Sequence, residues 1–282
     1  LNDYEQYRKD WNDFPLYCIV KKVPIHLDIE LTTRCNLRCE KCPYYGKNVN
    51  FPKQIDMDFI LYKKIIDECS KKGVRAVKLN FRGEPLLYKK LPEAIRYAKK
   101  KGILDVQINT NGLLLKNKLA EDILDSNLDL LILSDYGKYE QIKNGISFQL
   151  NKPNKKPILR VKTKDPDLWI NIADELEIPQ YYDYFNIKEN WNISTFKCEQ
   201  PWRRMLVMAN GIVNMCSCGL VNKNKKLGNI QNSSLEELWT SKKMEFLRYC
   251  HNNGLSHLIK ACRFCPGRIE YIKNKKELKN FF

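Results

Sequence analysis

Three thiols, Cys35, Cys39 and Cys42, stand at CxxxCxxC spacing directly after the strand-like run HLDIEL at 26–31. A loop leaving a strand can curl three sulfurs around one corner of a cubane iron–sulfur cluster, whose sulfide-bridged irons prefer soft thiolate ligands. The fourth iron then lacks a protein ligand and stays open to a small chelating molecule. Zinc would instead want a closed shell of four ligands, and no fourth donor stands nearby.

The rest of the chain has to place that loop. Strand-like and helix-like segments alternate after residue 25, the pattern of βα units around a parallel sheet. The strands expected are 26–31, 75–80, 104–109, 128–134, 157–162 and 180–187, with helices over 57–71, 89–101, 116–126 and 166–176. The stretch 136–156 is short and polar for a helix-containing unit and is expected to open the barrel there. From about 191 the pattern changes. MLVMANGIVNM reads as a hairpin turning at Asn210–Gly211, followed by a helix near 234–248 and a cysteine-rich end. The expected units are an N-terminal extension (1–25), a barrel (26–190) and a tail unit (191–282).

A sheet covered on both faces should be almost continuously apolar, and these strands are not. His26, Asp28 and Glu30 alternate with Leu27, Ile29 and Leu31; Lys78, Asn80 and Arg82 with Val77, Leu79 and Phe81; Gln107 and Asn109 with Val106 and Ile108; Arg160 and Lys162 with Leu159 and Val161. If the sheet curves with its helices outside, the polar set lines a charged pocket.

At 282 residues and 43% hydrophobic, the chain can bury a full core. Eleven cysteines beside only three histidines (His26, His251, His257), in a chain too long for a small disulfide scaffold, point to thiolate-bound metal. There is no run of roughly 18 apolar residues and no secretory start, so a soluble, cytoplasmic protein without a membrane partner is expected. Residue 1 is Leu rather than Met, which leaves room for a missing start. The net charge of +16 comes from lysines scattered along the chain, dense only at 223–226 and 273–279. That favours a solvated surface, then an anionic substrate, and makes nucleic acid an unlikely partner.

With the cysteine loop in place, the order of further motifs resembles the radical S-adenosylmethionine (SAM) superfamily, whose signature is this loop after the first strand of a partial (β/α)6, TIM-like barrel. Phe81-Arg82-Gly83-Glu84-Pro85 resembles the family's GGEP loop, which implies that Gly83, Glu84 and Pro85 serve the SAM amino group; Arg82 replaces the usual first Gly. Asn109 in INTNG and Ser134 after LDLLIL stand where the family contacts the ribose and carboxylate of SAM. Lys143 occupies the place of a carboxylate-binding Arg, and Lys41 that of an aromatic residue near the adenine. In the tail, CEQPW, MCSCG, LGNI, LEELW and CRFC resemble the SPASM and twitch extensions, a β-hairpin plus helix. The resemblance implies a second 4Fe–4S cluster held by Cys198, Cys216, Cys262 and Cys265. Cys218 is an alternative ligand and Cys250 a weaker one, while Cys69 and Cys18 read as core residues. A zinc knuckle competes for the tail thiols.

The resemblance implies an enzyme with two 4Fe–4S clusters and SAM, a flavodoxin- or ferredoxin-like electron donor, and a 5′-deoxyadenosyl radical that abstracts hydrogen. A fully ligated tail cluster leaves no iron for substrate, and its natural use is to accept the substrate radical's electron. The leading reading is therefore an oxidoreductase acting on a small polar molecule such as a sugar, aminosugar or nucleotide sugar. Glu30 or Asp28 is the candidate base, with Arg82, Arg160 or Lys162 orienting anionic or hydroxyl groups. Epimerisation or crosslinking of a peptide is the alternative; the 25 residues before the first strand are short for a leader-binding domain. A zinc-bearing nucleic-acid binder is the reading from another class.

Overall fold

The structure, a computed structural model, describes residues 1–40, 42, 44, 53–150, 157–179, 188–217 and 226–279. Lys41, the expected strand at 180–187, Cys218 and the lysines at 223 and 225 lie outside them.

The first helix, α1 (Asp3–Leu16), starts on a capping box in which Asn2 and Glu5 each accept the other's backbone N–H. Then come β1 (His26–Ile29), α2 (Phe59–Lys72), β2 (Ala76–Lys78), α3 (Leu91–Lys100), β3 (Asp105–Thr110), α4 (Asn117–Leu124), β4 (Leu130–Ser134), α5 (Tyr139–Leu150), β5 (Ile158–Lys162) and β6 (Glu175–Glu177). The tail adds α6 (Gln200–Arg203), β7 (Arg204–Val207), β8 (Ile212–Asn214), β9 (Lys226–Asn229), α7 (Leu235–Trp239), α8 (Lys242–Asn252), α9 (Lys260–Arg263) and α10 (Pro266–Lys279).

Among the described residues nine strands form one sheet in the order β6-β5-β4-β3-β2-β1-β7-β8-β9. From β6 to β7 every pairing is parallel, and β8 and β9 are antiparallel. The sheet does not close on itself, which makes the fold a partial barrel. It also runs past residue 190: β7 pairs with β1, so the hairpin extends the barrel wall beside the strand that leads into the first cysteine loop.

The alternation along β1 and the strands beside it sorts as expected. Leu27, Ile29, Val77, Val106, Ile108 and Val161 join α2 residues Tyr62, Ile65, Ile66 and Cys69 in one core. The polar faces turn the other way, with His26, Asp28 and Glu30 fully inside. Helix α1 packs at the N-terminal end of the barrel. The Tyr7 hydroxyl lies 3.5 Å from His26 Nδ1, Trp11 packs edge-on to the same ring, and Arg203 of α6 donates to the Trp11 carbonyl. The open end is therefore the C-terminal one, where parallel-strand folds place their sites.

Two expectations need correction. Residues 166–176 make one 3-10 turn, Pro166–Leu168, and then the edge strand β6 rather than a helix. Trp169 is drawn inward to donate from Nε1 to Asp135 at 2.8 Å, and Asp174 is used to accept from the Leu159 amide, which ends the turn. The stretch 136–156 does not lack its helix: α5 fills the gap, burying Ile142 and Ile146. Gly145 permits this, because a Cβ there would stand 2.0 Å from the Leu115 carbonyl oxygen.

Candidate active site and metal centre

The loop after β1 is pinned before it reaches its first thiol. Thr32 donates to Asp56 at 2.6 Å, Thr33 to the Lys53 carbonyl, and Arg34 grips Asp56 through two bonds of 2.9 and 2.7 Å. Gly83 lies against this loop so closely that a Cβ would fall 2.3 Å from Thr32 O and 2.6 Å from Arg34 O. The GEP loop and the cysteine loop are thereby clamped together.

Beyond the clamp, Cys35, Cys39 and Cys42 open onto one cavity of about 410 Å³ at the C-terminal ends of the strands. Arg82, Gly83, Glu84, Asn109, Ser134 and Lys162 line it as well. Burial pushes the Cys35 thiol up, with Glu84 and the neighbouring thiols adding to the effect; burial and Cys42 do the same to Cys39. Such thiols stay protonated by themselves, and a soft metal that replaces the proton relieves the cost. Three thiols on one rim of a cavity of this size fit a cluster with one open iron and a ligand beside it.

The Glu84 carboxylate accepts from Thr110 Oγ1 (2.5 Å), Asn111 N (2.9 Å) and Leu86 N (3.1 Å), and burial raises its pKa. Its side chain thus ties two loops together while its edge faces the cavity. Asn109 donates its amide to Asn80 Oδ1 at 2.9 Å, and its side-chain oxygen accepts from Ser134 Oγ at 3.1 Å. Pro85 does not line the cavity; it is buried at the start of the 3-10 turn Pro85–Leu87. Lys143 also lies outside it, with its ammonium over the Tyr139 ring at 5.2 Å.

The residues expected to act as base or orienting group part company. Arg82 lines the cavity, and its Nε and Nη2 donate to the two oxygens of Glu30 at 2.6 and 2.8 Å. Glu30 also accepts from the Ala209 amide, in the β7–β8 turn, at 3.1 Å. With both oxygens engaged and no exposed surface, Glu30 holds Arg82 rather than serving as a base. Arg160 does not reach the cavity: it pairs with Glu175 at 2.5 Å, near α1, where Tyr4 feels both charges. Lys162, one layer higher on β5, lines the cavity and bonds to Glu177 at 2.8 Å.

Asp28, the other base candidate, sits among His26 Nε2 (3.3 Å), Lys78 Nζ (3.4 Å) and Arg204 Nη1 (3.6 Å). Burial pushes its carboxyl up, but these neighbours outweigh it and hold the pKa far below the usual range. An acid held this firmly ionised is a poor base. Asp135 is a cavity residue that the sequence reading passed over. Asp135 accepts from Trp169 Nε1, Thr163 Oγ1 and the amides of Gly137 and Lys138. The signal was present in Ser-Asp-Tyr-Gly, an Asx-turn sequence just after a strand.

A second cavity in the tail is lined by Cys198, Cys216, Cys262 and Cys265, the four residues expected there. Cys198 precedes α6, Cys216 follows β8, and Cys262 and Cys265 flank the α9–α10 junction. Burial raises the Cys262 thiol well above its ordinary pKa, and Cys216, Cys265 and Cys198 raise it further. Four half-buried thiols that line one cavity are a complete donor set for a soft metal centre. Cys250 is buried outside this cavity, and Cys69 lies in the core. His251 and Arg268, which the sequence reading gave no role, line this cavity as well. His251 Nδ1 accepts from the Cys198 amide at 3.2 Å, and its Nε2 lies 3.4 Å from Cys262 Sγ; burial pushes its pKa down to about 4.

Known family models match the two segments that carry these cysteines. The model of the radical SAM superfamily matches residues 29–134, and that of the SPASM iron–sulfur cluster-binding domain matches 198–266. The chain belongs to the radical SAM superfamily. It carries a C-terminal SPASM domain, and its cofactors are SAM and two 4Fe–4S clusters. Among curated relatives, a radical SAM match is the protein named "Probable GTP 3′,8-cyclase" of Methanococcus maripaludis, 37% identical over 121 residues. That match covers 42% of this chain and 39% of the relative's length. BtrN, solved in complex with AdoMet and 2-DOIA, superposes with a TM-score of 0.63 at 20% identity, over 88% of this chain and 94% of that one. Streptococcus suis SuiB bound to its precursor peptide SuiA gives 0.61 at 15% identity, over 92% and 74%. At such identities the likeness is one of fold.

Proposed function

We propose that this radical SAM enzyme is an oxidoreductase acting on a small, polar, anionic substrate bound at the C-terminal mouth of the barrel, with residues 26–190 as its catalytic unit and 191–282 as its auxiliary-cluster unit. The observation that carries the reading is the single cavity in which Cys35, Cys39 and Cys42 meet Arg82 and Lys162 across the polar pair Asn109–Ser134. When bound, the barrel cluster and SAM supply a 5′-deoxyadenosyl radical that takes a hydrogen atom, and the auxiliary cluster takes up the electron left on the substrate. Cys35, Cys39 and Cys42 hold the first cluster with one iron open. Gly83 and Glu84 form the SAM-facing edge, with Asn109 and Ser134 lining the same cavity.

The substrate's charge is met by Arg82, whose guanidinium Glu30 keeps aimed, and by Lys162. Arginine carries N–H donors on more than one edge of its plane, so a guanidinium aimed by one carboxylate can donate to a second anion as well. A nucleotide-type substrate accords with the name of the Methanococcus relative, which refers to GTP. Cys198, Cys216, Cys262 and Cys265 form a four-thiol set that leaves no iron of the second cluster for substrate, which favours its use as an electron acceptor. The electron donor is a flavodoxin- or ferredoxin-like protein. Among the described residues no helix is long and apolar enough to cross a membrane.

The test is anaerobic reconstitution followed by incubation with SAM and dithionite. About eight irons per chain and release of 5′-deoxyadenosine are expected. Cys35→Ala should abolish that release, whereas Cys262→Ala should keep it and block substrate turnover. Screening nucleotide sugars and sugar phosphates against neutral sugars and short peptides then reads the substrate class. Turnover of a peptide, with no response to any phosphorylated compound, would overturn the assignment.

A further inference from the structure

The wall of the tail cavity contains more than thiols. His251, on α8, has both ring nitrogens committed. The Cys198 amide donates to Nδ1, so the ring proton resides on Nε2, and Nε2 faces Cys262 Sγ at 3.4 Å. Arg268, on α10, is completely buried against the same cavity. Its Nε donates to Ser256 Oγ at 3.0 Å, Nη1 to the Asn190 carbonyl at 2.9 Å and Nη2 to the Asn192 carbonyl. These acceptors are all neutral. They fix the guanidinium without cancelling its charge, and Cys262 and Cys265 line the same cavity.

We infer that His251 and Arg268 are positioning residues that raise the reduction potential of the auxiliary cluster, His251 by an N–H···S hydrogen bond to the Cys262 thiolate and Arg268 by a buried positive charge. A four-iron cluster held by four thiolates is anionic, and reduction adds a further negative charge in a place shielded from water. Hydrogen bonds to cluster sulfurs and nearby cations stabilise that added charge, and both effects grow in a low-dielectric interior. Neither residue binds iron or touches substrate. Their joint effect is to make the cluster ready to accept an electron. The two arrive from different helices, α8 and α10. This inference rests on the four-cysteine assignment made above and extends it to the residues behind the ligands.

The test uses the full chain with Cys35, Cys39 and Cys42 changed to Ala, so that only the auxiliary cluster gives an EPR signal, and a dye-mediated redox titration of that signal. The parent should bind about four irons per chain. His251→Phe and Arg268→Gln should each retain iron and lower the midpoint potential, with the double variant lower than either. His251→Gln, which keeps an N–H donor, and Arg268→Lys, which keeps the charge, should stay close to the parent. An unchanged midpoint in His251→Phe and Arg268→Gln with iron intact would overturn the inference. So would loss of iron from His251→Phe and His251→Gln together, which would make the imidazole itself a ligand. A parent that binds no iron would instead refute the four-cysteine assignment, and the inference with it.

Discussion

Arg82 donates through Nε and Nη2 to the two carboxylate oxygens of Glu30, and the second of those oxygens also accepts from the Ala209 amide. A side chain that lines the cavity is thus aimed by a carboxylate in β1's polar row and steadied from the β7–β8 turn. Glu30→Gln keeps the size but loses the bidentate ion pair. It should lower kcat/KM for substrate by on the order of tenfold to a hundredfold, or about 1.4–2.8 kcal/mol of transition-state stabilisation. Iron content and uncoupled SAM cleavage should stay near the parent. Arg82→Lys should likewise lower turnover, since an ammonium cannot engage both oxygens in one plane.

Gly83 is required by close approach and not by its dihedral angles. A methyl group there meets two loop carbonyls at 2.3 and 2.6 Å, and backbone cannot rotate away as a side chain can. Gly83→Ala should force the GEP and cysteine loops apart at a cost of about 1–3 kcal/mol. Because Cys35 follows the displaced residues, the reconstituted variant should hold about four irons instead of eight, with the auxiliary cluster's signal preserved. Iron analysis with EPR checks this.

Asp28 links protonation to stability. Its folded pKa is depressed by Lys78, Arg204 and His26 despite full burial. The pairing therefore contributes its full stability above the ordinary carboxylate pKa and loses it only as pH falls below that value towards the folded one. Asp28→Asn should cost about 3–5 kcal/mol at neutral pH, because it leaves the cations without their counter-charge. In urea unfolding, the gap between parent and variant should be flat from pH 7 to pH 5 and begin to shrink only below about pH 4.

The convergence of Cys35, Cys39 and Cys42 and the strands β1 to β5 were legible because their signals are local: fixed thiol spacing, and apolar residues at period two. The same period assigned Arg160 and Lys162 to one face, correctly, but carries no measure of depth along a barrel. Two residues of rise separate a lysine in the cavity from an arginine paired near α1. Glu30 misled for a related reason. A carboxylate facing a polar interior reads as a base until its partner is known, and Arg82 lies 52 positions away. Residues 166–176 failed as a helix because Trp169 and Asp174 take long-range partners, a tertiary demand that overrides local propensity. His251 and Arg268 are single polar residues in helices, with no repeat to mark them, and acquire meaning only when α8 and α10 meet at the cysteines.

Asn109 and Ser134 offer a test of whether two neighbouring wall residues act singly or as one. The Ser134 hydroxyl donates to the Asn109 side-chain oxygen, and the Asn109 amide is itself fixed by Asn80. If Asn109 makes the contact with SAM and Ser134 orients it, Asn109→Ala should weaken SAM binding by about tenfold, equivalent to about 1.4 kcal/mol. Ser134→Ala should weaken it by a smaller factor, since Asn109 retains its backbone anchor. The double variant should then be no worse than Asn109→Ala alone, because the serine has nothing left to orient. Equilibrium binding of SAM to the four chains closes the cycle. Additive losses would instead mean that each side chain touches SAM separately, and the hydroxyl would become a binding group in its own right.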